Sequence, residues 1–174
     1  MAARQYTKGL YRPEHAKESC GFGLITHQYG EASHELVVTA CKALTRMTHR
    51  GAIAADGKTG DGCGLLMQFP QAFFRQLAEE EGIRLARMFG LGMVFMNTDP
   101  VLAQQSRDIL EKHINNEMMS VAGWRTVPVN PSVCGKMALE SLPTIEQVFV
   151  DAPPGWAPHD IERRLFVARR MAAA

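Results

Sequence analysis

The sequence lacks a strong excess of charge, a closely spaced cysteine pair and any long apolar run. Its formal net charge is +1, which favours neither a nucleic-acid surface nor a basic membrane patch. No apolar run reaches the roughly eighteen residues of a membrane-spanning helix, and the first residues contain no apolar segment typical of a secretory signal. The 4 cysteines form no C-x-x-C pair, and the 6 histidines have no paired ligand spacing. We therefore expect a cytoplasmic protein with reduced thiols, no metal site, and no nucleic-acid or membrane partner.

The chain does contain enough apolar sequence for one folded domain. Hydrophobic residues make up 46% and charged residues 21% of its 174 positions, an ordinary balance for a soluble globular protein. A chain of this length can bury a substantial core. Residues 1–19 are polar, carry Pro13 and show no apolar periodicity, so they have the character of a tail, a linker or a removable leader.

Beyond residue 19, apolar periodicity predicts a series of strands and helices. We expect strands from Cys20 and at 65–68, 92–96, 124–129 and 145–150. We expect helices from Ser33 to about Thr48, around 73–78, at 101–119, and from a cap at Asp160 through Arg170. This order indicates an α+β protein with at least five strands. Cys41 falls on the apolar face of the first helix and is predicted to be buried and inert.

Cys20 has a sequence context that suits a nucleophile. It stands directly before a Gly-x-Gly pair, Gly21 and Gly23, and before Leu24 and Ile25, which favour a buried strand. The glycines leave the backbone beside the thiol uncovered, so another molecule could approach closely. These residues alone leave two interpretations open, a catalytic thiol and a buried free cysteine.

A glycine-dense loop at residues 55–64 follows the first helix. It satisfies a relaxed phosphate-loop pattern, but a helix precedes it and a poor helix start follows, which is the wrong context for phosphate binding. Asp56 and Asp61 could form a carboxylate pair, although Asp beside Gly in a loop is more typical of turn chemistry.

Four stretches together carry a resemblance to a known family. Residues 20–23 read Cys-Gly-Phe-Gly, residues 49–52 read His-Arg-Gly-Ala, residues 55–64 form the glycine-dense loop, and residues 142–147 read Leu-Pro-Thr-Ile-Glu-Gln. In this order and spacing they resemble the class II glutamine amidotransferase domain of the bacterial glutamate synthase large subunit, an N-terminal-nucleophile hydrolase. The similarity runs from about Cys20 to Arg170. It implies a four-layer αββα fold, incomplete at the C-terminus, with residues 1–19 as leader and 20–174 as the N-terminal part of the domain.

The resemblance also implies a chemistry for two residues. Cys20 would become the first residue of the mature enzyme, attack the side-chain amide of L-glutamine and form a thioester, with its own α-amino group as base. That amine can act as a base only after residues 1–19 are removed. Arg50 matches the arginine of the family's His-Arg-Gly motif, which lies near the nucleophile and helps to orient it. Its alternative role is a cation at the C-terminal end of the first helix. Cys63 and Cys134 match no catalytic role, and we interpret them as structural.

Other family features are expected outside these 174 residues. The substrate-binding arginine and the Asn-Gly oxyanion hole are expected beyond residue 174, as is the synthase part with its flavin mononucleotide (FMN) and iron–sulfur cluster, which makes glutamate from 2-oxoglutarate. The rest of the large subunit and a small subunit are the expected partners. We therefore expect a fragment with little activity alone. Two alternatives remain, an N-terminal-nucleophile acylase of other substrate and a non-catalytic remnant.

Overall fold

The computed structural model describes residues 21–47, 53–60 and 62–173. Two compact units divide the chain. One comprises Met1–Ala55 with Gly60–Leu66, and the other comprises Asp56–Thr59 with Met67–Ala174. In the described part of the chain, no helix is long and apolar enough to cross a membrane.

The described residues of the first unit contain one helix, α1, His34–Arg46. Its N-cap is Ser33, as predicted, whose hydroxyl accepts a hydrogen bond from the Leu36 backbone N–H at 3.3 Å. The helix ends slightly earlier than predicted, with Met47 as its C-cap. The prediction that one face of α1 is buried is wrong, because none of its residues is fully buried and Cys41 is exposed.

The strands predicted from Cys20 and at 65–68 are wrong where the structure describes them. Residues 21–26 and 62–69 have no strand geometry, and Leu24 and Leu66 are 86% and 99% exposed. Across these two stretches the backbone forms no ladder with another described segment. An apolar stretch is not enough to form a strand, because a strand also needs a partner backbone to pair with. The composition of the stretch does not specify that partner.

The second unit contains a three-stranded sheet and four helices. The elements are α2 (Gln71–Glu80), β1 (Phe89–Met96), α3 (Pro100–Asn116), β2 (Ser120–Thr126), a 3₁₀ turn (Pro131–Val133), α4 (Lys136–Glu140), β3 (Thr144–Asp151) and α5 (Pro158–Ala172). The predicted strands at 92–96, 124–129 and 145–150 are confirmed within a few residues. The described residues hold three strands in this sheet, fewer than the five predicted.

Proline and aspartate set the starts of the two long helices. Asp99 caps α3 by accepting hydrogen bonds from the N–H groups of Val101 and Leu102, and Pro100 occupies the first turn. α5 starts earlier than predicted, because Pro158 stands at its first turn and Ala157 is the N-cap. Asp160 lies inside that first turn, where its charge favours the helix dipole, and does not cap the helix.

The sheet has the order β1-β3-β2, with both outer strands antiparallel to β3. Strands β1 and β2 are therefore parallel to each other and joined through α3, with β3 inserted between them as in a split β-α-β unit. One face packs under α3 and α5 in a core of buried residues that includes Ile114, Val148, Val150, Ile161 and Ala168. Part of the opposite face packs with α2 around Ala78, Phe89 and Phe149.

The rest of that second face is open. Met93 and Phe95 on β1 pair with Gln147 and Ile145, and so continue the row that begins with the buried Phe149. Their exposed fractions are 49% and 66%. One face of the sheet thus carries the main core beneath α3 and α5, whereas Met93 and Phe95 leave part of the other face exposed.

Candidate active site

The two predicted catalytic residues, Cys20 and Arg50, lie outside the residues that the structure describes. Their assignment stays a prediction. The structure describes the chain from Gly21 to Met47 and again from Ile53.

Directly after Cys20, the backbone passes close to the end of α1. A Cβ built on Gly21 would lie 2.7 Å from the Cε of Met47, so only glycine fits without a shift of that methionine. A Cβ on Gly23 would meet open space. Further on, the N–H of Glu31 donates to His27 Nδ1 at 3.2 Å and closes the turn before α1. Gly21 therefore permits a close internal contact, whereas the sequence suggested the approach of another molecule.

The end of α1 bears on the alternative role of Arg50. The basic residue in its last turn is Arg46, and the helix has already ended when the chain reaches Arg50. A cation stabilises the helix dipole only within that last turn. Arg46 is therefore the cation that is placed to stabilise the dipole of α1.

The most elaborate polar contact near the predicted motifs is made by Asp56. Its Oδ1 accepts hydrogen bonds from the backbone N–H groups of Lys58 and Thr59 at 3.0 and 2.7 Å. Its Oδ2 accepts from the Thr59 hydroxyl at 2.5 Å. These bonds, the Thr59 hydroxyl foremost, hold the pKa of the Asp56 carboxyl well below its usual range. The turn chemistry predicted for Asp56 is confirmed, whereas Asp61 lies outside the described residues.

The same loop contacts a distant segment that sequence reasoning missed. The N–H of Met137, at the start of α4, donates to Asp56 Oδ2 at 3.4 Å across 81 positions of sequence. A Cβ built on Gly135 would lie 2.6 Å from the Thr59 backbone nitrogen and would also clash with the Asp56 and Thr59 side chains. The only sequence signal was an isolated Gly135 in a loop, and nothing in its neighbourhood indicates Asp56 as the partner.

The 142–147 stretch supplies two buried polar residues of β3, Glu146 and Gln147, at 5% and 7% exposure. Arg107 of α3 donates to both Glu146 oxygens, with Nε to Oε2 at 2.8 Å. Arg125 of β2 donates to Gln147 Oε1 and to Glu81 Oε1, both at 3.1 Å. These hydrogen bonds link β3 to α3 and to Glu81 at the end of α2, and they offset part of the cost of burying the two polar side chains.

Among the described residues we also looked at the free cysteines and at groups of side chains that could bind a metal ion. Cys41 and Cys63 are exposed and Cys134 is half-buried, all three as free thiols. Over 21–47, 53–60 and 62–173, no cluster of three or more His, Cys, Asp or Glu side chains could hold a metal ion. This part of the chain therefore offers no ligand set for an iron–sulfur cluster.

Comparison with known proteins identifies relatives. Residues 20–174 match the family model described as glutamine amidotransferases class-II. The chain is 39% identical over 170 residues to the glutamate synthase [NADPH] large chain of Bacillus subtilis, covering 95% of this chain and 11% of that protein. It is 38% identical over 161 residues to ferredoxin-dependent glutamate synthase 2 of Synechocystis, covering 89% and 10%. The large chain of Azospirillum brasilense is 35% identical over 171 residues, covering 97% and 11%. The chain thus spans about a tenth of the length of these curated relatives.

Proposed function

This chain belongs to the class-II glutamine amidotransferases, and we propose that it carries the glutamine-hydrolysing step of a glutamate synthase. The observation that carries the proposal is the start of the family match at residue 20, the cysteine singled out by its Gly-x-Gly context. The names of the relatives add the biological setting, because each is a glutamate synthase.

The proposed reaction is nucleophilic catalysis by the Cys20 thiolate. The sulfur attacks the side-chain amide carbon of glutamine, and the amide nitrogen leaves as ammonia after it accepts a proton. The product of this step is a γ-glutamyl thioester. Water then attacks the thioester carbon, the carbon–sulfur bond breaks, and glutamate and the free thiol are released. No oxidant or reductant is consumed.

The proposed base is the α-amino group of Cys20 itself. A free α-amino group titrates near pH 8 and a thiol near 8.5, so proton exchange between them costs little near neutrality. In a peptide bond the same nitrogen has no useful basicity. We therefore include removal of residues 1–19 in the proposal, and the start of the family match at residue 20 supports this division of the chain.

Arg50 is the proposed second member of the site. A guanidinium near a thiol favours the thiolate and can orient the nucleophile. Two observations support this role: the His-Arg-Gly sequence at residues 49–51, and the end of α1 at Arg46, which gives the helix-dipole role to another arginine.

For the fold, we propose that the α3–α5 layer and the three-stranded sheet are two layers of a four-layer αββα arrangement. The support is the open, apolar part of the second sheet face around Met93 and Phe95, which has the character of a surface that packs against another sheet. We also propose that the ammonia is used on 2-oxoglutarate by a synthase part with FMN and an iron–sulfur cluster, together with a small subunit.

The test is ammonia release from glutamine by the whole protein that carries this chain. We expect turnover, a mature N-terminus at Cys20 by intact-mass measurement, and complete loss of turnover in Cys20→Ser. The matched control is Cys41→Ser, because Cys41 is an exposed thiol outside the proposed site. Full turnover by protein that still carries residues 1–19, or by Cys20→Ser, would rule out the mechanism.

A further inference from the structure

Residues 128–143, which we call the β2–β3 connection, contribute little to the core of the sheet unit. Before them, the Val127 N–H still donates to the Ile145 carbonyl at 2.9 Å and extends the pairing of the two strands. Pro128 and Pro143 then bound the connection, and a proline has no N–H with which to continue a ladder. Gly135 alone is buried between them, and the hydrophobic clusters of the described residues include no side chain of the connection. Apolar packing therefore does little to hold this segment in place.

A single hydrogen bond ties the connection to another part of the sheet unit. Among the hydrogen bonds of the described residues, the bond from the Met137 N–H to Asp56 Oδ2, at 3.4 Å, is the one that joins residues 128–143 to a distant segment. The other backbone bonds of the connection are local, such as that from the Leu139 N–H to the Gly135 carbonyl. The attachment of the connection thus depends on the Asp56–Thr59 loop.

Packing at Gly135 is a second, independent sign of this attachment. A Cβ built there would lie 2.6 Å from the Thr59 backbone nitrogen, a distance that real Cβ atoms do not show, and its nearest neighbours all belong to Asp56 and Thr59. The φ of Gly135 is −73°, a conformation open to any residue, so the approach of the loop is what requires glycine here. The loop therefore covers the one buried residue of the connection.

The Asp56–Thr59 loop holds its own shape without the connection. Asp56 Oδ1 accepts from the N–H groups of Lys58 and Thr59, and Oδ2 accepts from the Thr59 hydroxyl. These three bonds lie within the loop and do not involve Met137 or Gly135. The loop is thus a preformed docking point, and release of the connection would leave it folded.

We propose that the β2–β3 connection is a flap that opens and closes as one unit, hinged where the strand pairing ends and held closed by the Asp56–Thr59 loop. On opening, the Met137 N–H and Asp56 Oδ2 both bind water, and β2 and β3 stay paired. A segment with few buried apolar contacts opens locally at a lower free energy than the whole fold. This inference goes beyond the proposed function and does not depend on it.

The test is amide hydrogen exchange of the whole protein, read by mass spectrometry on peptides from the connection and from β3. Asp56→Asn can keep its oxygen toward the turn, and it then presents an amide nitrogen to the Met137 N–H in place of an acceptor. Gly135→Ala acts from the other side, because its methyl group would clash with the Thr59 backbone. The matched control is Asp99→Ala, which removes an aspartate that also accepts two backbone N–H groups, at the cap of α3.

We expect the connection of the parent protein to exchange faster than β3, and Asp56→Asn and Gly135→Ala each to speed its exchange at least about tenfold. Asp99→Ala weakens the whole fold, so it should speed exchange in β3 about fivefold and leave the connection within about twofold of the parent.

Two results would overturn the proposal. If exchange in the connection rises and falls with that in β3 in all three variants, the connection opens only when the whole unit unfolds. If Asp56→Asn and Gly135→Ala both leave the connection within about twofold of the parent, the loop does not hold it closed.

Discussion

Arg107 and Glu146 form a two-point ion pair that links α3 to the central strand β3. Arg107 Nε donates to Glu146 Oε2 at 2.8 Å, and Arg107 Nη2 donates to Glu146 Oε1. Glu146 is 5% exposed, whereas the Arg107 side chain is 24% exposed. The hydrogen bond from Arg107 to Glu146 is the main cause of a raised Arg107 pKa. Strand β3 thus carries a buried carboxylate whose negative charge is balanced by Arg107.

We expect Arg107→Ala to lower the free energy of unfolding by about 3 kcal/mol, because it leaves the Glu146 carboxylate buried without its partner. The matched control is Arg163→Ala on α5, whose pair with Asp160 is 3.9 Å long and whose side chain is 71% exposed. That change should cost less than about 0.5 kcal/mol. Urea unfolding of the three proteins measures both values, and equal costs for the two arginines would contradict this account.

A second prediction concerns the irregular pairing of β2. The register shifts between Val121 and Gly123, and a Cβ on Gly123 would lie 2.8 Å from Ile83 Cδ1. We expect Gly123→Ala to destabilise the fold by about 1–3 kcal/mol through overpacking. In the background Ile83→Ala the same change should cost about 1 kcal/mol less, since the clashing side chain is gone. A double-mutant cycle by urea unfolding measures this coupling, and additive costs would show that the contact does not matter.

A third prediction concerns the pH dependence of the Asp56 contribution. Hydrogen bonds, with the Thr59 hydroxyl foremost, lower the pKa of this carboxyl in the folded chain. Its ionised form therefore stabilises the fold above the unfolded pKa of about 3.9, and this contribution disappears as the pH falls through the lower folded value. The destabilisation by Asp56→Asn should be full near pH 6 and should shrink steadily below about pH 4. Urea midpoints of parent and variant across this range test the sign, and a gap that stays constant or widens in acid would contradict it.

The sequence predicted local elements better than their pairing. Ser33 caps α1 as predicted and α3 begins one residue before the predicted position 101, whereas α5 begins at Pro158 and not after a cap at Asp160. Leu24 and Leu66 show the limit of this approach, because strand assignment needs a partner that no local pattern names. The Gly135 contact with Thr59 is non-local in the same way. The order of the sequence motifs identified the family. The catalytic roles of Cys20 and Arg50 remain predictions that rest on those motifs.

The most direct test of the central claim is selective labelling of Cys20 in processed protein by a glutamine-like electrophile, 6-diazo-5-oxo-L-norleucine. Peptide mapping after partial labelling reports the site, and iodoacetamide is the unselective comparison. Cys41 and Cys63 are exposed thiols, so iodoacetamide should modify both. We predict that the glutamine analogue modifies Cys20 first, that excess glutamine slows this reaction, and that Arg50→Gln slows it as well, because a nearby guanidinium favours the thiolate. Labelling of Cys41 or Cys63 ahead of Cys20, with no protection by glutamine, would contradict the assignment of Cys20 as the nucleophile.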